Sequence, residues 1–143
     1  EDKQLNFTII RSETGQIASG SLTNVHGFKD AETYPVEVRC LQTLMKERGH
    51  DCIDIIKMDI EGAGIPVMRQ ALEQNILPRQ IVAEFEGPAK AGPAFWKELN
   101  ELLVSLNRAG YEMFSMPARM AGMNFSIELI AQLKSSRDQG AEN

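Results

Sequence analysis

Acidic side chains recur at regular spacing near the ends of two apolar segments. Lys57, Asp59 and Glu61 alternate along the end of one segment, and Glu84 and Glu86 alternate along the end of another. Because side chains of a β-strand alternate between its two faces, each set lies on one side of its strand. If the two strands are neighbours, these carboxylates gather at one edge of a sheet, where like charges raise each other's pKa.

Three explanations of this acidic cluster compete. The carboxylates hold a divalent cation, since Mg²⁺ and Ca²⁺ prefer oxygen ligands. Alternatively, one carboxylate acts as a general base or orients a hydroxyl or amine of a substrate. The third explanation is that they are solvated acids at strand ends, with Lys57 as ionic partner. The third explanation is the simplest for any single acid. For the cluster as a whole we favour a functional site. We assign no residue as a metal ligand.

Two further features lie near possible sites. His26 belongs to Ala18–Pro35, a segment rich in loop-forming residues, and a loop of that length is usually functional or mobile. A pocket position and a structural position explain His26 equally well. Gly62-Ala63-Gly64 reads as a turn that lets a ligand approach the backbone, but the chain contains no GxGxxG and no GxxxxGK[ST]. The sequence therefore excludes dinucleotide-binding and P-loop sites.

The apolar pattern predicts alternating strands and helices. The predicted strands are Leu5–Ile10, a weaker one after the turn at residues 13–16, Val36–Val38, Ile53–Ile60, Gln80–Phe85, Tyr111–Met116 and Met123–Ile130. Helices are predicted around Leu41–Met45, Ile65–Leu72 and Phe95–Leu106.

This alternation predicts the fold class. Strand–helix–strand units are typical of an open α/β sheet, mostly parallel, with helices on both faces. The nearly continuous apolar run Ile53–Ile60 predicts a strand covered on both faces. The last two strands have only a short connection, so we expect them to pair antiparallel at the C-terminal end of the sheet.

Composition limits the class of protein. The chain has 143 residues, of which 43% are hydrophobic, which predicts one soluble domain over residues 1–134 followed by a frayed polar tail at 135–143. A net charge of −5 argues against nucleic acid as a partner. No apolar run is long enough to cross a membrane. Cys40 and Cys52 are interpreted as reduced, partly buried thiols, which predicts a cytoplasmic location.

The segment Ile53–Ala63 resembles the signature of FkbM-type methyltransferases, in which hydrophobic residues alternate with Lys, Asp and Glu before Gly-Ala. The stretch Val36–Leu44 resembles the lead-in to that signature, Ile81–Phe85 resembles the next strand, and Ala109-Gly110-Tyr111 opens the final strand pair. The resemblance covers about residues 5–130 and is specific only in Lys57–Ala63.

The resemblance implies a Rossmann-like fold, S-adenosylmethionine as cofactor, and methyl transfer to a small molecule, often at a hydroxyl group. It implies that Asp59 and Glu61 lie near the methyl donor and acceptor. Combined with the acidic cluster, it gives a candidate site with catalytic Asp59, Glu61 and Glu84, cofactor-binding Asp59 and Gly62, and substrate-binding Lys57, Glu86 and His26.

Two departures from the family pattern affect these expectations. The family usually has a further Glu where this chain has Gly64. The glycine-rich turn and the ribose-binding acid of the family belong to strands that would precede Glu1, so we expect a sheet truncated at its N-terminus. Such a chain would bind S-adenosylmethionine weakly or not at all, would be inactive alone, and would form homo-oligomers through its exposed sheet edge.

Two alternatives remain. Lys57-Met58-Asp59 and Ala83-Glu84-Phe85-Glu86 weakly resemble EAL-type cyclic-dinucleotide phosphodiesterases, which use a metal. Those enzymes are full barrels, and a chain of this length cannot supply one. The other alternative is a non-catalytic association module, which predicts no ligand at the acidic edge and no effect of Asp59→Asn on any activity.

Overall fold

The computed structural model describes residues 2–11, 14–22, 32–88, 92–121 and 124–134. These residues form strands β1 (Lys3–Arg11), β2 (Ile17–Ser21), β3 (Glu32–Val38), β4 (Ile55–Asp59), β5 (Gln80–Pro88), β6 (Tyr111–Ser115), β7 (Arg119–Ala121) and β8 (Asn124–Leu133), and helices α1 (Leu41–Arg48), α2 (Gly64–Glu73) and α3 (Gly92–Arg108). His26 and the predicted tail at 135–143 lie outside the described residues.

The first three strands form an antiparallel sheet in the order β2-β1-β3. β1 pairs with β3 from Lys3↔Val38 to Ile9↔Glu32, so β3 begins well before the predicted strand at Val36. The expected loop over Ala18–Pro35 is therefore wrong at both ends, because β2 and the start of β3 pair with β1. Pro35 is tolerated there since β3 is an edge strand, where a missing N–H costs no ladder hydrogen bond.

The remaining strands form a second, five-stranded sheet with the order β4-β5-β8-β6 and β7 paired to β8. β4 and β5 are parallel, whereas β8 runs antiparallel to β5, β6 and β7. Four strands thus share one direction, and β4-α2-β5 is a βαβ unit. The antiparallel pairing of the last two long strands is confirmed. The pair formed by β8 and β6 ends the sheet, but β8 also pairs antiparallel with β5, so only β4 and β5 form a parallel pair among the described strands. β7 occupies a region predicted as a turn.

One face of the five-stranded sheet carries the core. Alternate residues of β5 (Ile81, Ala83 and Phe85) are buried beneath α2 and α3. The other buried core residues are Met58, Ile65, Met68, Ala71, Phe95, Leu99, Leu102, Leu106, Tyr111, Leu129 and Ala131. The Tyr111 hydroxyl donates to the Pro78 carbonyl oxygen at 2.6 Å, and burial raises the pKa of this tyrosine to about 12.

The opposite face of this sheet, here called the open face, is exposed in the described part of the chain. Ile55 on β4, Ile130 on β8 and Phe114 on β6 are 60%, 56% and 80% exposed. The predictions of strands covered on both faces and of helices on both faces are therefore wrong for the described residues. An apolar run indicates that both faces carry apolar side chains, but it does not reveal whether another element covers each face.

The residue before β1, Asp2, is hydrogen-bonded to the start of α1. The Cys40 backbone N–H donates to Asp2 Oδ1 at 2.7 Å, and the Thr43 hydroxyl donates to Asp2 Oδ2 at 2.9 Å. These hydrogen bonds lower the pKa of Asp2. Cys40 is half-buried, as expected, whereas Cys52 is exposed, contrary to the prediction. No helix within the described ranges has both the length and the apolarity needed to span a membrane.

Gly87 provides a test of the packing between β5 and α3. A Cβ atom added at Gly87 would lie 2.4 Å from Phe95 Cδ2, whereas one added at the buried Gly92 would meet its nearest neighbour, Phe125, at 3.6 Å. We expect Gly87→Ala to lower the free energy of unfolding by about 1–3 kcal/mol through overpacking. Gly92→Ala is the matched control and should not lower it, because the contact is ordinary and alanine favours helix. Urea denaturation of both variants measures the difference, and equal stabilities would contradict this description of the packing.

Candidate functional site

The parallel ladder between β4 and β5 positions the first two acids. Asp59 lies opposite Glu84 in the register of this pair, and Glu84 lies opposite Glu128 on β8. Because register partners on one face have neighbouring side chains, the three carboxylates form a lateral row across the open face. One end of this row has a cation, since Arg119 Nη1 lies 3.8 Å from Glu128 Oε1.

A tight turn carries the next acid past the end of β4. The Ala63 N–H donates to the Ile60 carbonyl oxygen at 3.0 Å, and the residues between them, Glu61 and Gly62, have φ values of 46° and 83°. Glycine adopts such values freely, but a residue with a Cβ incurs about 1–2 kcal/mol there. Glu61 is therefore held in a conformation that its residue type disfavours, and such positions cluster at functional sites.

The packing around Gly64 explains why this chain lacks the glutamate that the family usually has at the start of α2. It is buried, and a Cβ atom there would lie 3.0 Å from the Phe85 ring. A glutamate at this position would require the Phe85 ring to move. In this chain, the acidic side chains are instead supplied by β4, β5 and the turn.

Glu86 has the most perturbed acid–base equilibrium of the cluster. Burial, a hydrogen bond to the Glu61 side chain, and the charges of Glu61, Glu84 and Asp59 raise the pKa of Glu86 to about 7. Its second oxygen, Oε2, is fully buried and has no hydrogen-bond partner among the described residues. A carboxyl group with a pKa near neutrality can both accept and release a proton at physiological pH.

Two concave surfaces adjoin these acids. The first, here called the open-face groove, has a volume of about 280 Å³ and crosses the open face. The row of carboxylates formed by Asp59, Glu84 and Glu128 lines the groove, together with Lys57. The rest is largely apolar, with Val82, Met116, Phe114 and Ile130 among its walls. Lys57 forms no ion pair with a described residue, so the ionic pairing on which the third explanation of the acidic cluster relied is absent from this part of the chain.

The second surface, here called the inter-sheet cavity, lies between the antiparallel sheet and the β4–α2 turn. Its volume is about 470 Å³. Asp59 and Glu61 are its acidic lining residues. The other lining residues that the structure describes are Phe7, Gly20, Leu22, Val36, Val38, Ile60, Ala63 and Val67. Asp59 therefore borders both surfaces.

The structure thus brings together most of the predicted site. Asp59, Glu61, Glu84 and Glu86 converge, and Gly62 lies in the turn between them. His26 falls outside the described residues. Within those residues, no group of three or more His, Cys, Asp or Glu side chains is arranged to hold a metal ion. Sequence reasoning missed Glu128, although its place in the alternation of the last strand was a usable signal.

Comparison with known families decides the class of the protein. The chain matches the FkbM methyltransferase domain over residues 3–113. It belongs to the FkbM methyltransferase family. No curated protein and no solved structure matches the chain. The resemblance inferred from Lys57–Ala63 is confirmed, and the matched range extends from β1 into β6.

The FkbM assignment also bears on the phosphodiesterase alternative. The two sheets of the described residues are open, with β4 and β6 at the edges of the larger one. An EAL-type barrel would require a closed ring of parallel strands. The similarity of Lys57-Met58-Asp59 to that family is therefore superficial, and the barrel alternative is wrong.

The environment of Glu86 predicts an unusual dependence of stability on pH. Folded Glu86 retains its proton up to about pH 7, while an unfolded glutamate releases it near its ordinary pKa. The folded state therefore binds more protons between these values, and its stability should fall as pH rises towards 7. Glu86→Gln should remove this contribution, so the stability of the variant relative to the wild type should rise as pH increases. Urea denaturation at pH 4.5 and pH 8 measures the free energy of unfolding of both proteins.

Glu73→Gln at the exposed end of α2 is the matched control, and it should follow the wild-type pH profile. If Glu86→Gln and the wild type show the same pH dependence, the buried carboxyl does not titrate as described.

Proposed function

We propose that this FkbM-family protein is an S-adenosylmethionine-dependent methyltransferase that methylates a hydroxyl group of a small molecule. The observation that carries the proposal is the convergence of Asp59, Glu84 and the Glu61–Glu86 pair beside the β4–α2 turn, in a chain of this family. The strand order β4-β5-β8-β6, with one strand reversed, supports a Rossmann-like arrangement of the larger sheet.

The residues at this edge fit the charge of the cofactor. S-adenosylmethionine carries a sulfonium and an ammonium group, and Asp59 and Glu61 supply negative charge next to a turn whose Gly62 allows close approach to the backbone. Asp59 and Gly62 would hold it there. When bound, it supplies an electrophilic methyl group.

The proposed roles of the protein residues follow from their environments. Glu84 and Asp59 accept hydrogen bonds from the acceptor and orient its hydroxyl. Since the pKa of Glu86 is about 7, the Glu61–Glu86 pair can take up the hydroxyl proton near neutral pH. Lys57, which also lines the groove, contacts polar atoms of the acceptor. His26 remains a proposed contact of the acceptor.

Two further proposals concern the state of this chain. The glycine-rich turn and the ribose-binding acid of the family are not found in this sequence, so we expect the 143-residue chain to bind the donor weakly and to be inactive alone. The edge of β4 that no described strand pairs with and the exposed apolar side chains Phe114 and Ile130 support a homo-oligomer. The same surface supports the alternative of a non-catalytic association module.

The free thiols Cys40 and Cys52 support a cytoplasmic location.

Donor binding tests the proposal at Asp59. With S-adenosylmethionine carrying a ¹³C-methyl group, saturation-transfer NMR should detect binding in the millimolar range. Asp59→Asn should weaken it about tenfold, because a charge-assisted contact contributes about 1.5–3 kcal/mol. Asp54→Asn, at the other end of β4 in an exposed pair with Arg79, should leave it unchanged. Micromolar affinity by calorimetry would contradict weak binding, and no detectable contact would contradict a donor site in this chain.

Methyl transfer tests the reaction class. Incubation with labelled donor and a panel of small alcohols should give no methyl ether signal, because we expect the chain to be inactive alone, and a signal would contradict that expectation. Where transfer occurs, Glu84→Gln should reduce its rate about 100-fold, because the acceptor hydroxyl loses the carboxylate that orients it. The control is Glu112→Gln on β6, an exposed residue paired with Lys134. Equal rates for Glu84→Gln and the wild type would favour the association module.

A further inference from the structure

We propose that the inter-sheet cavity binds a small molecule that has an apolar ring and, at one end, a hydroxyl or ammonium group facing Asp59 and Glu61. With a hydroxyl in that place the ligand would be the methyl acceptor, so its identity as a substrate rests on the proposed function. The binding site itself rests on the walls, the charge and the size of the cavity.

The walls come from two parts of the fold that are far apart in sequence. Phe7, Val36 and Val38 belong to the antiparallel sheet, whereas Ala63 and Val67 belong to the beginning of α2 and its cap. All five side chains are apolar and half-buried. Such a surface binds a ring or branched chain by removing apolar area from water.

Gly20 leaves room for the Phe7 ring, which forms one wall of the cavity. A Cβ atom added there would lie 2.6 Å from Phe7 Cε1 and Cζ. The Phe7 ring therefore lies directly over the backbone of β2, and any larger residue at Gly20 would displace it. The glycine allows an aromatic side chain to form part of the cavity without filling it.

The polar end of the cavity selects the chemistry of the ligand. Asp59 and Glu61 are its acidic lining residues, and no Lys, Arg or His is among the lining residues that the structure describes. Ionised carboxylates only accept hydrogen bonds, so the facing group must be a donor. An anionic group would be repelled, whereas a hydroxyl or an ammonium group would be favoured.

The volume is compatible with a small organic ligand. The inter-sheet cavity measures about 470 Å³, compared with about 280 Å³ for the open-face groove. Ligand pockets in proteins span about 300–1,000 Å³. Because Asp59 borders both surfaces, a hydroxyl held at the end of the inter-sheet cavity lies next to the proposed reaction site.

Three isosteric probes test the site in the absence of a methyl donor. Benzyl alcohol, benzylamine and benzoate share one ring and differ in the group attached to it. Titrated into the ¹⁵N-labelled chain, the alcohol and the amine should shift the amide signals of Val36, Val38 and Val67 with millimolar dissociation constants, as expected for fragments of this size. Benzoate should bind at least about tenfold more weakly. Equal binding of all three, or shifts confined to Val82 and Phe114, would overturn the proposal.

Two variants make the test specific. Val67→Phe fills the cavity from the α2 side and should abolish the shifts. Val104→Phe makes the same change at an exposed position of α3 and should leave them unchanged. If Val67→Phe does not give a folded spectrum, Asp59→Asn provides an independent test. It should narrow the difference in affinity between benzoate and benzyl alcohol. An unchanged difference would overturn the charge argument.

The outcomes separate this inference from the proposed function. Probe binding in the inter-sheet cavity without detectable binding of S-adenosylmethionine would support the site and contradict the proposed donor site. Conversely, methyl transfer by a chain whose cavity binds neither benzyl alcohol nor benzylamine would overturn only the cavity proposal.

Discussion

The parallel register between β4 and β5 determines the arrangement of the acidic edge. The pairing of Met58 with Ala83 and of Asp59 with Glu84 buries the first pair beneath α2 and leaves the second on the opposite face. A shift of one residue would exchange these faces and would bury Asp59 or Glu84 in the core. The large free-energy cost of burying an unpaired charge therefore fixes the register, and the register fixes the site.

The turn after β4 completes the arrangement. It reverses the chain within two residues, so that Glu61 returns towards Glu86 instead of continuing away from the sheet. The resulting carboxyl pair has too little solvent and too many negative neighbours for both members to ionise easily. The strain at Glu61 and the raised pKa of Glu86 thus have one origin, namely a backbone path that brings acids together.

Packing on the two faces of the larger sheet is unequal. α2 and α3 cover one face, and Gly87 allows the Phe95 ring to contact β5 closely. The other face leaves Phe114, Ile130 and Ile55 in contact with solvent in the described part of the chain. The antiparallel sheet stands apart from this core and meets the β4–α2 turn at the inter-sheet cavity. The site consequently lies where the two sheets meet.

The sequence alone determined the helices, most of the strands and the family. Gly49 and Gly110 mark helix ends, and the alternation in Lys57–Glu61 identified both the strand and its acidic side chains. These features are local, since they depend on periodicity and on backbone preferences of single residues.

Tertiary structure decided what local patterns cannot encode. The strand order placed β8 between β5 and β6 and aligned Glu128 with Glu84. Pairing with β1 made Glu32–Pro35 part of a strand, where a loop was expected. Long-range contacts placed Glu86 against Glu61. Each of these depends on which distant segments meet, and apolar periodicity does not specify that choice.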